Sequence, residues 1–84
     1  MYYVYALQSS SKRRIYIGQT KDLHRRIQHH NKGYVKSTCN DRPWELIAFE
    51  EVKSTNEARW IENCLKRSKG KRIKWLEQKR LAPQ

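Results

Sequence analysis

Nowhere does the chain carry the run of about eighteen apolar residues that a membrane-spanning helix requires. Its opening stretch, Met1 to Leu7, lacks the basic start and small-residue cleavage site of a secretory signal, so a cytoplasmic protein is expected. Cysteine is equally sparse. Cys39 and Cys64 are too few for a disulfide framework and lack the close Cys or His spacing of a zinc site. Both are expected as reduced thiols, Cys64 packed and Cys39 in a loop. No segment repeats at a fixed period or has the low complexity of a linker. Acids are few: eight Asp and Glu stand against nineteen Lys and Arg, a formal charge of +11 spread over the whole chain. That balance predicts a polyanionic partner and gives no sign of a membrane or an obligate protein partner.

What is present is aromatic. Trp44, Trp60, Trp75, Phe49 and five tyrosines can anchor an interior in an 84-residue chain whose hydrophobic share is only 37%. A chain this short hides about 60 to 65% of its unfolded surface, enough for one domain, 1–84, and no second core.

Two runs rich in aromatic and branched residues, Tyr2–Gln8 and Arg14–Gln19, flank a polar breaker and predict an antiparallel hairpin. Thr20 stands at a helix N-cap, Asp22 in the first turn and Gly33 at a stop, so residues 21–32 are expected to be helical. After a loop to Pro43, Trp44–Val52 reads as a strand covered on two sides and central to the sheet. Ser54 and Glu57 have the form of a capping box opening a helix over 55–68. Gly70 separates it from a basic helical stretch, Lys71–Leu81, closed by Pro83. The expected fold is α/β of the α+β kind: a three-stranded antiparallel sheet flanked by three helices, in the order β-β-α-β-α-α.

Three polar residues fall on apolar helix faces. A step of about 100° per residue puts Leu23, Ile27 and His30 in one stripe with Arg26 on its edge, while His24, Arg25 and His29 point elsewhere. On the second helix Glu62 shares the face of Ala58, Ile61 and Leu65. An unpaired carboxylate there costs several kcal/mol, roughly, so it needs a proton, a cation or a metal ion; Arg26 and a divalent cation are the candidates. Period-two alternation puts Tyr3, Tyr5 and Leu7 on one face, and Tyr16 and Gly18 on one face of the next strand. A proton acceptor, a cation for phosphate and a metal ligand are the ingredients of a phosphodiester site.

These residues resemble the GIY-YIG nuclease domain of the excision-repair subunit UvrC, some homing endonucleases and some restriction enzymes. Tyr3-Val4-Tyr5 stands for the first signature and Tyr16-Ile17-Gly18 keeps the second. Arg26 follows Tyr16 by ten residues, His30 comes one helical turn later, and Glu62 matches the metal-binding Glu. The first signature has Tyr3 in place of Gly, and no Asn occurs beyond Asn63, where several active members carry one. The likeness extends over essentially the whole chain and is greatest to small stand-alone bacterial proteins of uncharacterised function. It implies hydrolysis of one nucleic-acid strand with one Mg²⁺ or Mn²⁺ held by Glu62, the phosphate gripped by Arg26, and an attacking water deprotonated by Tyr16 with Tyr5 or His30 beside it. A phenol with an ordinary pKa near 10 needs cationic surroundings for that task, or His30 must take the proton.

The run Lys66-Arg67-Ser68-Lys69-Gly70-Lys71-Arg72-Ile73-Lys74 holds six cations and no acid. With Lys21 it is the expected nucleic-acid contact, and four or five neutralised phosphates imply a log-log salt slope of about −4 on duplex DNA. Trp60 and Trp75 are expected to close the core. Two functions remain: a metal-dependent endonuclease that nicks DNA, with RNA as the other substrate, for which the family likeness implies a part in DNA repair; or a noncatalytic nucleic-acid-binding module on the same fold. The hairpin and the central strand argue against a helix-turn-helix regulator.

Overall fold

The computed structural model describes residues 1–81. The expected stop at Pro83 and the last residues of the domain lie outside them. Branched and aromatic residues form the hairpin β1 (Tyr2–Ser9) and β2 (Ile15–Thr20), followed by α1 (Leu23–Lys32), a short 3₁₀ turn at Cys39–Asp41, β3 (Trp44–Val52), α2 (Thr55–Arg67) and α3 (Lys69–Lys79). The expected element order and antiparallel sheet are both present.

The strand order is β2-β1-β3, so β1 is the centre and β3 an edge, which corrects the expectation for Trp44–Val52. The apolar run that suggested a central strand has another origin. A register shift opposite Ala6 and Leu7 lets the neighbours Ile47 and Ala48 both pack into the core under α2 and α3. Leu46 and Phe49 meanwhile pack on the opposite face, under α1. The exposed edge is partly closed because Arg80 bridges Ala48 and the Leu81 amide donates to the Ile47 carbonyl at 2.8 Å.

The layers follow from this alternation. Tyr5 and Leu7 face α1 with Tyr16, Trp44, Leu23 and Ile27. Val4, Ala6 and Ile17 face α2 and α3 through Ala58, Leu65 and Trp75. Trp60 departs from expectation: it is 67% exposed, because it lies about 200° around α2 from Ala58, while Trp75 is buried as anticipated.

Helix boundaries differ where side chains compete for backbone groups. Asp22, not Thr20, caps α1, its carboxylate accepting from the Arg25 amide at 3.1 Å, while the Thr20 hydroxyl accepts from the Asp22 amide. Gly33 ends the helix with φ +83°, a conformation that suits glycine. Ser54 caps α2 through the Glu57 amide as expected. The break before α3 falls at Ser68 rather than Gly70. Ser68 is extended and its hydroxyl caps the new helix at Lys71, leaving Gly70 in the first turn.

Candidate active site

β1 and β2 pair Tyr5 opposite Gly18 and Leu7 opposite Tyr16, so both phenols lie on the α1 face of the hairpin with ring centroids 6.3 Å apart. Gly18 is required there. A Cβ at that position would sit 2.6 Å from the Tyr5 hydroxyl and 2.7 Å from its ring carbon, so the close approach a glycine permits is that of Tyr5 itself.

α1 delivers Arg26 and His30 to the same place. Tyr5 and His30 are fully buried and joined by a 2.9 Å bond between the phenol and His30 Nε2. His30 Nδ1 lies 2.8 Å from the Thr38 hydroxyl, which donates onward to the Val35 carbonyl. The Thr38 proton is thereby committed, so its oxygen accepts from His30 Nδ1–H, His30 Nε2 accepts, and Tyr5 donates. Arg26 Nε completes the series by donating to the Tyr5 oxygen over a long 3.4 Å.

The protonation states agree with this polarity. Burial, reinforced by the nearby Arg26 charge and His29, drives His30 down to about 4, so the imidazole is neutral at pH 7. Burial pushes the Tyr5 phenol up to about 12, against the lowering pull of its bond to Arg26. The bond to Tyr5, with Tyr16 also close, raises Arg26 and keeps its guanidinium charged.

Glu62 arrives from the other side of the sheet, around edge strand β2. Its charge is near enough to add to the rise at Tyr5. The partner of Glu62 is Lys66, one turn on, at 2.7 Å, and not Arg26 as one expectation had it. Lys66 also holds its ammonium 5.9 Å from the centroid of Tyr16. Tyr16 is half-buried and lines a cleft of about 660 Å³ with Arg14, Ser37, Lys66 and Arg72. Among the predicted site residues, then, Tyr5, Tyr16, Arg26, His30 and Glu62 gather around one end of the hairpin. Tyr3 lies further along β1 against Phe49, at 6.1 Å between centroids, and Val4 and Ile17 are core residues on the opposite face.

The basic run divides. Lys66 and Arg72 border the Tyr16 cleft, whereas Lys71 and Lys74 line a separate groove between α2 and α3 with Trp60. Arg67 and Lys69 are exposed between them, and Lys21 is exposed just before α1. Sequence reading missed Thr38, which orients His30 and whose carbonyl accepts from Trp44 Nε1 at 2.9 Å. It also missed Asn31, whose amide group bonds both the N–H and the C=O of Trp44. A polar residue in an irregular loop carries no periodic signal that would single out Thr38.

The residues fit a divalent cation of one kind. Among the described residues no three His, Cys, Asp or Glu side chains cluster, so there is no all-protein cage. Mg²⁺ is commonly held by one or two carboxylates together with waters and substrate phosphates, and Glu62 with a bound phosphodiester offers that donor set. The Lys66 contact is no obstacle, since its ammonium stands at the end of a flexible side chain that is 48% exposed and can swing into solvent.

No helix among the described residues is long and apolar enough to cross a membrane. A curated relative, the UPF0213 protein YazA of Bacillus subtilis (strain 168), is 39% identical over 67 residues, covering 77% of this chain and 68% of that protein. The solution NMR structure of the UPF0213 protein BH0048 from Bacillus halodurans superposes with a TM-score of 0.59 at 32% identity, over 93% of this chain and 85% of that one. The family model described as the GIY-YIG catalytic domain matches residues 1–77, a span that includes every side chain of the cluster around Tyr16. The chain therefore belongs to the GIY-YIG family, a nuclease-type family whose small stand-alone bacterial members include these UPF0213 proteins.

Proposed function

We propose that this protein is a metal-dependent endonuclease that nicks one strand of DNA at the cluster around Tyr16, with RNA as the second substrate to be tried. The observation that carries the reading is the convergence of a charged Arg26, two phenols and the Glu62 carboxylate beside a cationic cleft. Arg26 binds the scissile phosphate through charge-assisted hydrogen bonds. Tyr16 lines the cleft and is the phenol open to a water molecule, with the Lys66 ammonium 5.9 Å from its ring centroid. Tyr5 and His30 act from behind: the neutral imidazole fixes the Tyr5 proton, and Tyr5 in turn fixes the direction of Arg26. Glu62 holds Mg²⁺ or Mn²⁺, which when bound supplies Lewis acidity to a phosphate oxygen and offsets charge at the departing oxygen.

One observation favours a second reading, a noncatalytic nucleic-acid-binding module: Lys66 already neutralises Glu62. A nicking assay on supercoiled plasmid and labelled oligonucleotides in Mg²⁺ and Mn²⁺ separates the two. Glu62→Gln is expected to bind DNA as the parent does while losing at least about a hundredfold in cutting, in keeping with removal of electrostatic stabilisation. Undiminished cutting by the variant removes Glu62 from the mechanism, and binding without cutting by the parent selects the module.

A further inference from the structure

A cleft of about 1050 Å³ lies on the far side of α1 from Tyr16, floored by Tyr3, Leu23, Ile27, Leu46 and Phe49. Its rim carries Lys21, His24 and Arg25 against Asp22 and Glu51, and the Asp22 carboxylate is occupied in capping the helix. A smaller hollow of about 200 Å³, lined by Thr20, Asp22, Arg25, Arg26 and His29, shares Asp22 and Arg25 with it. The two together form a continuous path around the N-terminus of α1, from Arg26 to the aromatic floor.

We infer that this path takes a single strand of nucleic acid, with an unpaired base stacked on the Tyr3–Phe49 pair while Lys21 and Arg25 track its phosphates. The inference rests on the nuclease reading for which phosphodiester sits at Arg26, and adds the substrate class: unpaired nucleotides beside the cut. Three observations carry it. The floor is aromatic, and stacking on aromatic side chains beside a cationic track is how single strands are bound without sequence preference. The charge is favourable on balance, because Lys21, Arg25 and Arg26 outnumber Asp22 and Glu51 along the path, in a chain of formal charge +11. The position is right as well, since the hollow that holds Arg26 and the cleft that holds Tyr3 and Phe49 share Asp22 and Arg25 in their walls. Bases inside a duplex are already stacked on both faces, so an unpaired base is the one free to lie on this floor.

The test uses metal-free binding, so that it does not depend on catalysis. Fluorescence anisotropy compares a short oligothymidine with a blunt duplex for the parent and for Tyr3→Leu, which keeps the apolar contact with Phe49. The expected result is about tenfold weaker binding of the single strand, with the duplex unchanged. Photocrosslinking of the unaltered protein to oligonucleotides containing 5-iododeoxyuridine provides a measurement free of folding effects, with the adduct expected on Tyr3 or Phe49. Equal losses on both nucleic acids, no loss at all, or an adduct on Trp60 in the α2–α3 groove overturns the inference. So does a Tyr3-dependent monomer–dimer equilibrium in sedimentation, which would assign the aromatic floor to a second copy of the chain. If cutting fails on every substrate while Tyr3-dependent single-strand binding holds, the nuclease reading falls and this inference stands; cutting indifferent to Tyr3→Leu gives the reverse.

Discussion

Burial fixes two protons in the candidate site, one off His30 and one on Tyr5, and each has a consequence for stability. The His30 pKa drops from 6.5 to about 4 on folding, so between those values the unfolded chain binds a proton that the folded chain refuses. Its contribution is fully present above pH 6.5 and is lost as pH falls towards 4, by about 3 kcal/mol at most. Urea unfolding from pH 7 to 4 is expected to show that loss in the parent and a much shallower one in His30→Gln. Equal slopes would return His30 to an ordinary pKa. Gly18 is the second residue-scale test. An alanine there must displace Tyr5, breaking its bonds to His30 and Arg26, at a cost of about 1–3 kcal/mol, typical of overpacking, and its melting temperature should fall accordingly.

At the scale of elements, one serine decides where two helices meet. Ser68 terminates α2, with its amide donating to the Cys64 carbonyl, and its hydroxyl caps α3. Ser68→Ala removes the cap and is expected to cost about 1 kcal/mol, read as a lower urea midpoint at unchanged slope. The effect reaches function because the break at Ser68 divides the cations between two surfaces. An uninterrupted helix would carry Arg72 about 240° around the axis from Lys66, away from the Tyr16 cleft that the two now share. Trp60 belongs to the same lesson. Its place on the outer side of α2 was implicit in the helical projection that identified Ala58, Ile61 and Leu65, and only the general hunger of a small core for aromatics argued otherwise.

For the molecule as a whole, the charge of +11 makes nucleic-acid affinity steeply dependent on salt, but the fold limits which cations act together. Lys21, Arg25 and Arg26 border the hollows at the N-terminus of α1 and Lys66 and Arg72 the cleft at Tyr16, whereas Lys71 and Lys74 face the α2–α3 groove. Arg14 is already engaged by Asp41 at 2.8 Å. Five neutralised phosphates on a single strand give a log-log salt slope of about −3.5. Removing Lys66 or Arg72 should reduce it by about 0.7, and Lys71→Gln with Lys74→Gln should leave it unaltered. A slope that responds to Lys71 and Lys74 instead would shift the binding face to the outer groove.

The sequence by itself determined the order of elements, the split of Tyr5 and Tyr16 from Val4 and Ile17 across the sheet, and the selection of Arg26, His30 and Glu62, because those follow from periods of 2 and about 3.6 residues along a chain. Only the tertiary structure decided that β1 is the middle strand, that Lys66 rather than Arg26 neutralises Glu62, and that Thr38 fixes the tautomer of His30. These depend on which groups meet through space after the chain has turned, and no local period encodes such meetings. The shared path around α1 is of the same kind, assembled from a strand face, a helix end and a bulged edge that are neighbours only in the folded molecule.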